Sequence, residues 1–117
     1  MDKVERFEDL RIWREARTLV KTIYSDMRGN KDWGFRDQIQ RAGVSIMNNI
    51  AEGFERSSDL EFARFLDIAK GSAGEVRSLY YAAEDLQYVD GEVSHDRRRF
   101  AAGISKGIGK LESYLRK

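Results

Sequence analysis

The sequence predicts an all-α protein folded as an antiparallel up-down-up-down four-helix bundle. Three observations carry this prediction: four successive apolar patterns repeat every three or four residues, the segments between them are short, and no strand-like alternation lasts beyond a few residues. Short connections make consecutive helices antiparallel neighbours. The 117 residues suffice for a single domain, residues 1–117, and contain no linker or internal repeat.

The first helix is predicted from an apolar stripe at helical spacing, formed by Trp13, Ala16, Val20, Ile23 and Met27. Gly29 and Asn30 tolerate the left-handed backbone conformation in which many helices end, so we expect the helix to stop there. Asp32 follows in the loop and is the predicted cap of the next helix.

The second helix is predicted from about Phe35 to Ala51, with Gly53 just past its end. Apolar residues cover more than half of its circumference, which predicts burial on two sides. The remaining positions form one narrow polar stripe: Gln38, Arg41, Ser45, Asn48, Asn49 and Glu52. Polar groups on a helix buried on two sides need partners, so this stripe is the first candidate site.

The third helix is predicted to begin after Ser58, because Ser58 and Glu61 match the capping box S-x-x-E. It is expected to end between Tyr88 and Gly91, and a fourth helix is expected from about Ser94 to the C-terminus. These two helices contain five glycines that predict close approach of backbones, within the bundle or between subunits: Gly71, Gly74, Gly103, Gly107 and Gly109.

The composition excludes several classes of site. The chain has no cysteine and therefore no disulfide framework, thiolate nucleophile or cysteine-based zinc site. The charged N-terminal segment lacks the apolar region of a secretory signal, and no window approaches the roughly 18 apolar residues of a membrane span. We expect a cytoplasmic protein without membrane contact.

No set of catalytic or metal-ligating residues emerges from the pattern. The single histidine, His95, forms one E-x-x-H motif with Glu92, whereas a di-metal bundle site needs two such motifs and two further glutamates. The segment 103–110 lacks the spacing of a phosphate-binding P-loop. The serines have no histidine base at helical spacing, so we expect neither an enzyme nor a bound cofactor.

The polar stripe of the second helix is predicted to belong to a structural network. Its members are three or four positions apart on one helix or face it from the third helix: Arg41, Ser45, Asn49, Glu52, Ser72 and Glu75. Glu75 is the expected counter-ion of Arg41. Such a network fixes the register of two helices or two subunits. The alternative is a stripe that faces a ligand.

Charge is distributed unevenly, although the net charge is only +1. Residues 58–93 carry three basic and eight acidic side chains, a net of −5, and residues 94–117 carry seven basic and two acidic ones, a net of +5. One interpretation is that the two segments are neighbouring helices whose charges pair. The other is a cationic strip for RNA or DNA, with contacts from Arg97, Arg98, Arg99, Lys106 and Lys110.

The chain resembles a family of small four-helix-bundle proteins named for open reading frames in 23S rRNA intervening sequences. The matching segments include Phe7–Trp13, Gln38–Ala42, Asn49–Gly53 and Ile68–Ser72. Met47 departs from the family, in which proline often stands at this position.

The resemblance implies a ring-like homopentamer without an established activity. The family is labelled ribosomal or rRNA-associated chiefly from gene location, and a distantly similar bundle is the accessory protein of diversity-generating retroelements, which binds nucleic acid and a reverse transcriptase. Residues and resemblance together predict a non-enzymatic, homo-oligomeric scaffold that binds structured RNA or other nucleic acid. The alternative is a protein–protein adaptor without nucleic-acid contact.

Overall fold

The computed structural model describes residues 4–117. These residues form four α-helices: α1 (Arg11–Asp26), α2 (Trp33–Phe54), α3 (Asp59–Asp85) and α4 (Gly91–Leu115). A single 3-10 turn, Phe7–Asp9, precedes α1. No strand occurs between residues 4 and 117, and the predicted all-helical class with four helices is confirmed.

Two helices begin at the capping residues that the sequence indicates. The Asp32 carboxylate accepts the backbone N–H of Phe35 at 3.2 Å at the start of α2. The Ser58 hydroxyl accepts the backbone N–H of Glu61 at 3.2 Å at the start of α3. Each cap satisfies an amide that has no partner within its own helix. Local sequence therefore sets where these helices start.

Two other boundaries differ from the prediction. Helix α4 starts at Gly91, about one turn earlier than expected, because the Asp90 carboxylate accepts the backbone N–H of Val93 at 2.8 Å. Helix α3 ends at Asp85, and Gln87 then adopts a left-handed φ of 61°. Compared with the prediction, the connection between the two helices therefore begins earlier, after Asp85, and also ends earlier, before Gly91.

Gly53 lies inside α2, so the prediction that it follows the end of the helix is wrong. The helix continues to Phe54. A Cβ atom added to Gly53 would lie 2.7 Å from Cβ of Phe65 and 2.9 Å from Cδ1 of Phe62, both on α3. Glycine is needed here because α2 and α3 approach closely, and not because the chain turns.

The core lies between the four helices, which pack as α1 on α2, α2 on α3, α3 on α4 and α4 on α1. Its largest fully buried side chains come from all four helices and include Leu19, Ile23, Ile39, Ile46, Ile50, Leu66, Tyr80, Ile104 and Ile108. Three of the five residues in the predicted α1 stripe are fully buried, namely Ala16, Ile23 and Met27. Ile12 and Leu19 are buried, whereas Trp13 and Val20 are half-buried.

The mid-helix glycines of α3 and α4 divide into three groups, and Gly109 is in ordinary contact, with Nζ of Lys70 3.6 Å from an added Cβ atom. A Cβ atom on Gly107 would lie 2.8 Å from Cγ2 of Ile12, so α1 and α4 touch there, as close approach requires. Three others have no heavy atom within 4 Å of an added Cβ atom: Gly71, Gly74 and Gly103. The prediction of close approach within the bundle is therefore wrong for these three, and close approach between subunits stays a prediction.

Candidate nucleic-acid interface and polar seam

Three uncharged residues form a polar seam between α2 and α3: Ser45, Asn49 and Ser72. The hydroxyl oxygens of Ser45 and Ser72 are 2.8 Å apart. The Asn49 side-chain amide donates to the backbone carbonyl of Ser45 at 2.8 Å and to its hydroxyl at 3.0 Å. The hydroxyl of Ser45 therefore has partners on both helices, and the seam fixes the register of α2 against α3.

The charged residues assigned to this network lie outside the seam. Arg41 donates to the Asp37 carboxylate at 2.8 Å, one turn away on the same helix, and both side chains are mostly exposed. Glu52 pairs with Arg56 at 3.6 Å. The expected pair between Arg41 and Glu75 is not formed among residues 4–117, which corrects the prediction. Charged side chains keep their hydration by pairing at the surface, whereas burial at the seam would have removed it.

An ion cluster that the sequence did not predict joins three helices. Arg97 on α4 makes two hydrogen bonds to the Asp26 carboxylate on α1, at 2.8 and 3.0 Å. The hydroxyl of Tyr80 on α3 donates to the same carboxylate at 2.7 Å. Burial, followed by the hydrogen bond to Asp26, raises the pKa of Tyr80 well above its usual range. We name Asp26, Tyr80 and Arg97 the three-helix cluster.

Arg98 is also held within the protein. Its Nε donates to the Ser94 hydroxyl at 3.1 Å, and its guanidinium lies 3.9 Å from the ring centroid of Tyr81. The Ser94 hydroxyl donates in turn to the backbone carbonyl of Tyr80 at 2.9 Å. Glu84 lies 3.5 Å from the Arg98 guanidinium. Arg97 and Arg98 therefore tie α4 to its neighbours, and the assignment of these two residues to a nucleic-acid surface is corrected.

The other three candidate contacts form the α4 cationic row, defined as Arg99, Lys106 and Lys110. All three side chains are exposed. At 100° per residue they project within about 40° of one another, on one face of α4. None has a carboxylate within 4 Å in the part of the chain that the structure describes. The row therefore presents uncompensated positive charge to solvent.

A groove between α1 and α4 adjoins this row. We name it the α1/α4 groove, and it is lined by Arg11, Ile12, Glu15, Phe100, Gly103, Ile104, Lys106, Gly107 and Lys110. Its volume is about 460 Å³. Three of the lining side chains are cationic and one is a carboxylate, so the groove favours an anionic occupant.

The described residues show no arrangement typical of a metal centre or a membrane span. Among residues 4–117, no group of three or more His, Asp or Glu side chains is placed to hold a metal ion. No helix in the same range has the length and apolar character to cross a bilayer.

Comparison with known proteins identifies a family for the chain and a solved structure with the same fold. A family model described as 23S rRNA-intervening sequence protein matches residues 8–110. A solved structure with TM-score 0.78 and 23% sequence identity is that of a protein of unknown function from the S23 ribosomal protein family of Bacteroides thetaiotaomicron VPI-5482. The match covers 91% of this chain and 99% of that chain, and at this identity it shows a shared fold alone. No curated protein matches the sequence.

Proposed function

Because the chain belongs to the 23S rRNA-intervening sequence protein family, we propose that it is a non-enzymatic cytoplasmic scaffold that self-assembles and binds structured RNA. The observation that carries RNA binding is the α4 cationic row. Its three charges are exposed and lack carboxylate partners among residues 4–117.

The row suits the phosphate backbone of a nucleic acid. From Arg99 to Lys110 it extends about 16 Å along the helix, at about 1.5 Å per residue. Lysine and arginine side chains that neutralise phosphates release condensed counterions, and this release favours binding at low salt. Contacts of this kind position a protein on RNA without reading its sequence. RNA is therefore the expected ligand class, and the contacts of the row itself give little preference for base sequence.

Titration of a structured fragment of 23S rRNA at several salt concentrations tests this function. We expect tight binding at low salt and a steep loss as salt rises. The double variant Lys106→Gln, Lys110→Gln should bind more weakly and reduce the slope of log K against log salt by about 1.5. Lys31→Gln, in the loop before α2, is the matched control and should leave the slope unchanged. Absence of binding at low salt would contradict RNA binding and favour the adaptor function.

The scaffold proposal includes an up-down-up-down arrangement of the helices. Two contacts between α3 and α4 support opposite directions. Asp67, early in α3, pairs with Arg116 at the end of α4, with 2.7 Å between Oδ2 and Nη2. Ser94, early in α4, bonds to the backbone of Tyr80, late in α3. The short loops between the other helices favour the same arrangement throughout.

Self-assembly is proposed through the outer face of α3, which we define as Leu60, Ile68, Gly71 and Gly74. Leu60 is 55% exposed and Ile68 is 53% exposed. Gly71 and Gly74 have open space beside them, and a glycine in a helix costs roughly 1 kcal/mol relative to alanine. A second copy packed closely on this face would offset that cost. The resemblance supports a ring-like homopentamer.

Light scattering after size exclusion tests the assembly. We expect a mass several times that of the 13.5 kDa chain, and a lower mass for Ile68→Glu. Tyr24→Glu, which changes an exposed residue on α1, is the control and should assemble as the wild type does. A monomer at micromolar concentration would contradict self-assembly. The outer face of α3 would then favour the second candidate function, a protein–protein adaptor.

A further inference from the structure

The α1/α4 groove has the size and closure of a binding site, in addition to the positive charge of the adjoining α4 cationic row. Its volume of about 460 Å³ lies within the roughly 300–1,000 Å³ typical of sites for small organic groups. Helices α1 and α4 meet at Gly107, where an added Cβ atom would lie 2.8 Å from Ile12. One turn earlier, an added Cβ atom on Gly103 would meet nothing within 4 Å. The groove is therefore closed where α1 and α4 meet at Gly107, and it is open at Gly103.

The lining combines three kinds of chemistry. Ile12 and Ile104 form an apolar wall, and Phe100 is 36% exposed at the same groove. Lys106 and Lys110 are cationic and lie about 6 Å apart along the helix axis. Aromatic, apolar and cationic groups together match the parts of a nucleotide, namely its flat base and its phosphate.

The carboxylate in the groove supplies a hydrogen-bond acceptor. Arg11 donates from Nε to Oε2 of Glu15 at 3.1 Å. The other carboxylate oxygen of Glu15, Oε1, has no hydrogen-bond partner among residues 4–117. A carboxylate beside an apolar wall can accept a hydrogen bond from an exocyclic amino group of a base.

We infer that the α1/α4 groove holds an unpaired nucleotide of single-stranded RNA. The base stacks on Phe100 against the apolar wall, Lys106 and Lys110 contact the neighbouring phosphates, and Glu15 accepts from an amino group of the base. A paired base has its faces covered by its neighbours in the stack, so the groove binds only the unpaired nucleotides of loops, bulges or ends. This inference rests on the proposed RNA binding and adds the state of the RNA that is recognised.

Fluorescence of 2-aminopurine placed in an RNA oligonucleotide of roughly 12 nucleotides tests the inference. We expect the single strand to bind more tightly than a duplex of the same length, with a change in fluorescence on binding. Phe100→Leu, which keeps an apolar side chain, should weaken single-strand binding about tenfold and leave duplex binding unchanged. Phe100→Trp keeps an aromatic face and should retain the preference. Tyr24→Leu, an exposed aromatic of α1 outside the groove, is the matched control.

The outcomes separate this inference from the proposed function. Equal affinity for single strand and duplex, or a Phe100→Leu variant that is folded and binds as the wild type does, would overturn the groove assignment while RNA binding stands. Displacement of the single strand by poly-glutamate of equal charge would also overturn it, because it would show that charge alone fills the groove. If Lys106→Gln lost binding to both single-stranded and duplex RNA while the Phe100 variants bound as the wild type does, the binding would be assigned to the α4 cationic row only.

Discussion

At the scale of single residues, the Asp26 carboxylate is the point at which α1, α3 and α4 are joined. It accepts hydrogen bonds from Arg97 and from Tyr80, and its side chain is only 10% exposed. The Arg97 guanidinium beside Asp26 is stabilised in its charged form, so the pKa of Arg97 is raised. Removal of the carboxylate charge would leave a partly buried guanidinium without a counter-ion.

The first prediction is that Asp26→Asn lowers the free energy of unfolding by about 2–3 kcal/mol. The asparagine oxygen can still accept from Tyr80, so the variant removes the charge and little of the shape. Urea unfolding followed by circular dichroism measures the change. Arg41→Ala is the control, because its pair with Asp37 is exposed and should contribute less than about 1 kcal/mol. Equal effects of the two variants would contradict a structural role for the three-helix cluster.

At the scale of helices, α2 and α3 are held at close distance by Gly53 and in register by the polar seam. The second prediction is that Gly53→Ala destabilises the protein by about 1–3 kcal/mol. The new methyl group would be 2.7 Å from Cβ of Phe65 and 3.3 Å from the backbone oxygen of Phe62, which cannot move as a side-chain tip can. Gly103→Ala, on α4 and away from the outer face of α3, has open space and should stabilise the protein by up to about 1 kcal/mol. Thermal and urea unfolding distinguish the two signs.

The contact between the first half of α3 and the end of α4 is sensitive to protonation of Glu112. Burial, and then the neighbouring Asp67 carboxylate, raise the pKa of Glu112 above its usual 4.5. Hydrogen bonds from Arg116 and Glu112 lower the pKa of Asp67. The folded protein therefore binds a proton at Glu112 in a range where the unfolded chain does not. Stability from this site falls as pH rises from about 4.5 through the raised pKa.

The third prediction is that Glu112→Gln abolishes this decline. The neutral amide resembles the protonated acid in shape, so the variant should lose less stability than the wild type as pH rises above 4.5. Chemical unfolding at several pH values measures the difference. Glu75→Gln is the matched control, since Glu75 is exposed on the same pair of helices, and its pH profile should follow the wild type. A wild-type profile in Glu112→Gln would contradict the assignment.

Helix caps depend on neighbouring residues, and the sequence predicted two of them and missed the one at Asp90. Contacts that depend on the rotation of helices about their axes were predicted less well. The caps Asp32 and Ser58 are local, and both were predicted. The sequence named Ser45 and Ser72 as candidates, and the structure brings their hydroxyls together. The sequence analysis wrongly paired Arg41 with Glu75 on α3. Asp37 on α2 is another acidic residue within reach of Arg41, and the sequence pattern alone does not distinguish the two partners. The role of Asp26 could not be predicted from the sequence, because it depends on how α1, α3 and α4 are placed relative to one another.

At the scale of the whole molecule, the outer face of α3 and the α4 cationic row belong to different helices. Assembly through the first would therefore leave the second available, and a ring of copies would repeat the row around its circumference. Repetition raises the effective concentration of one row after another has bound the same RNA. In such a ring, modest contacts by each copy would suffice for tight binding of a long RNA.

The last prediction links this assembly to stability. A protein that folds as an oligomer is stabilised by mass action, so its melting temperature should rise with protomer concentration. A tenfold increase should add about 1 kcal/mol per protomer, or roughly 4 °C for a chain of this size. Calorimetry at several concentrations measures the shift. Ile68→Glu places a charge on the outer face of α3 and should abolish the concentration dependence, whereas Tyr24→Glu should retain it. A wild-type melting temperature that is independent of concentration would contradict assembly through α3.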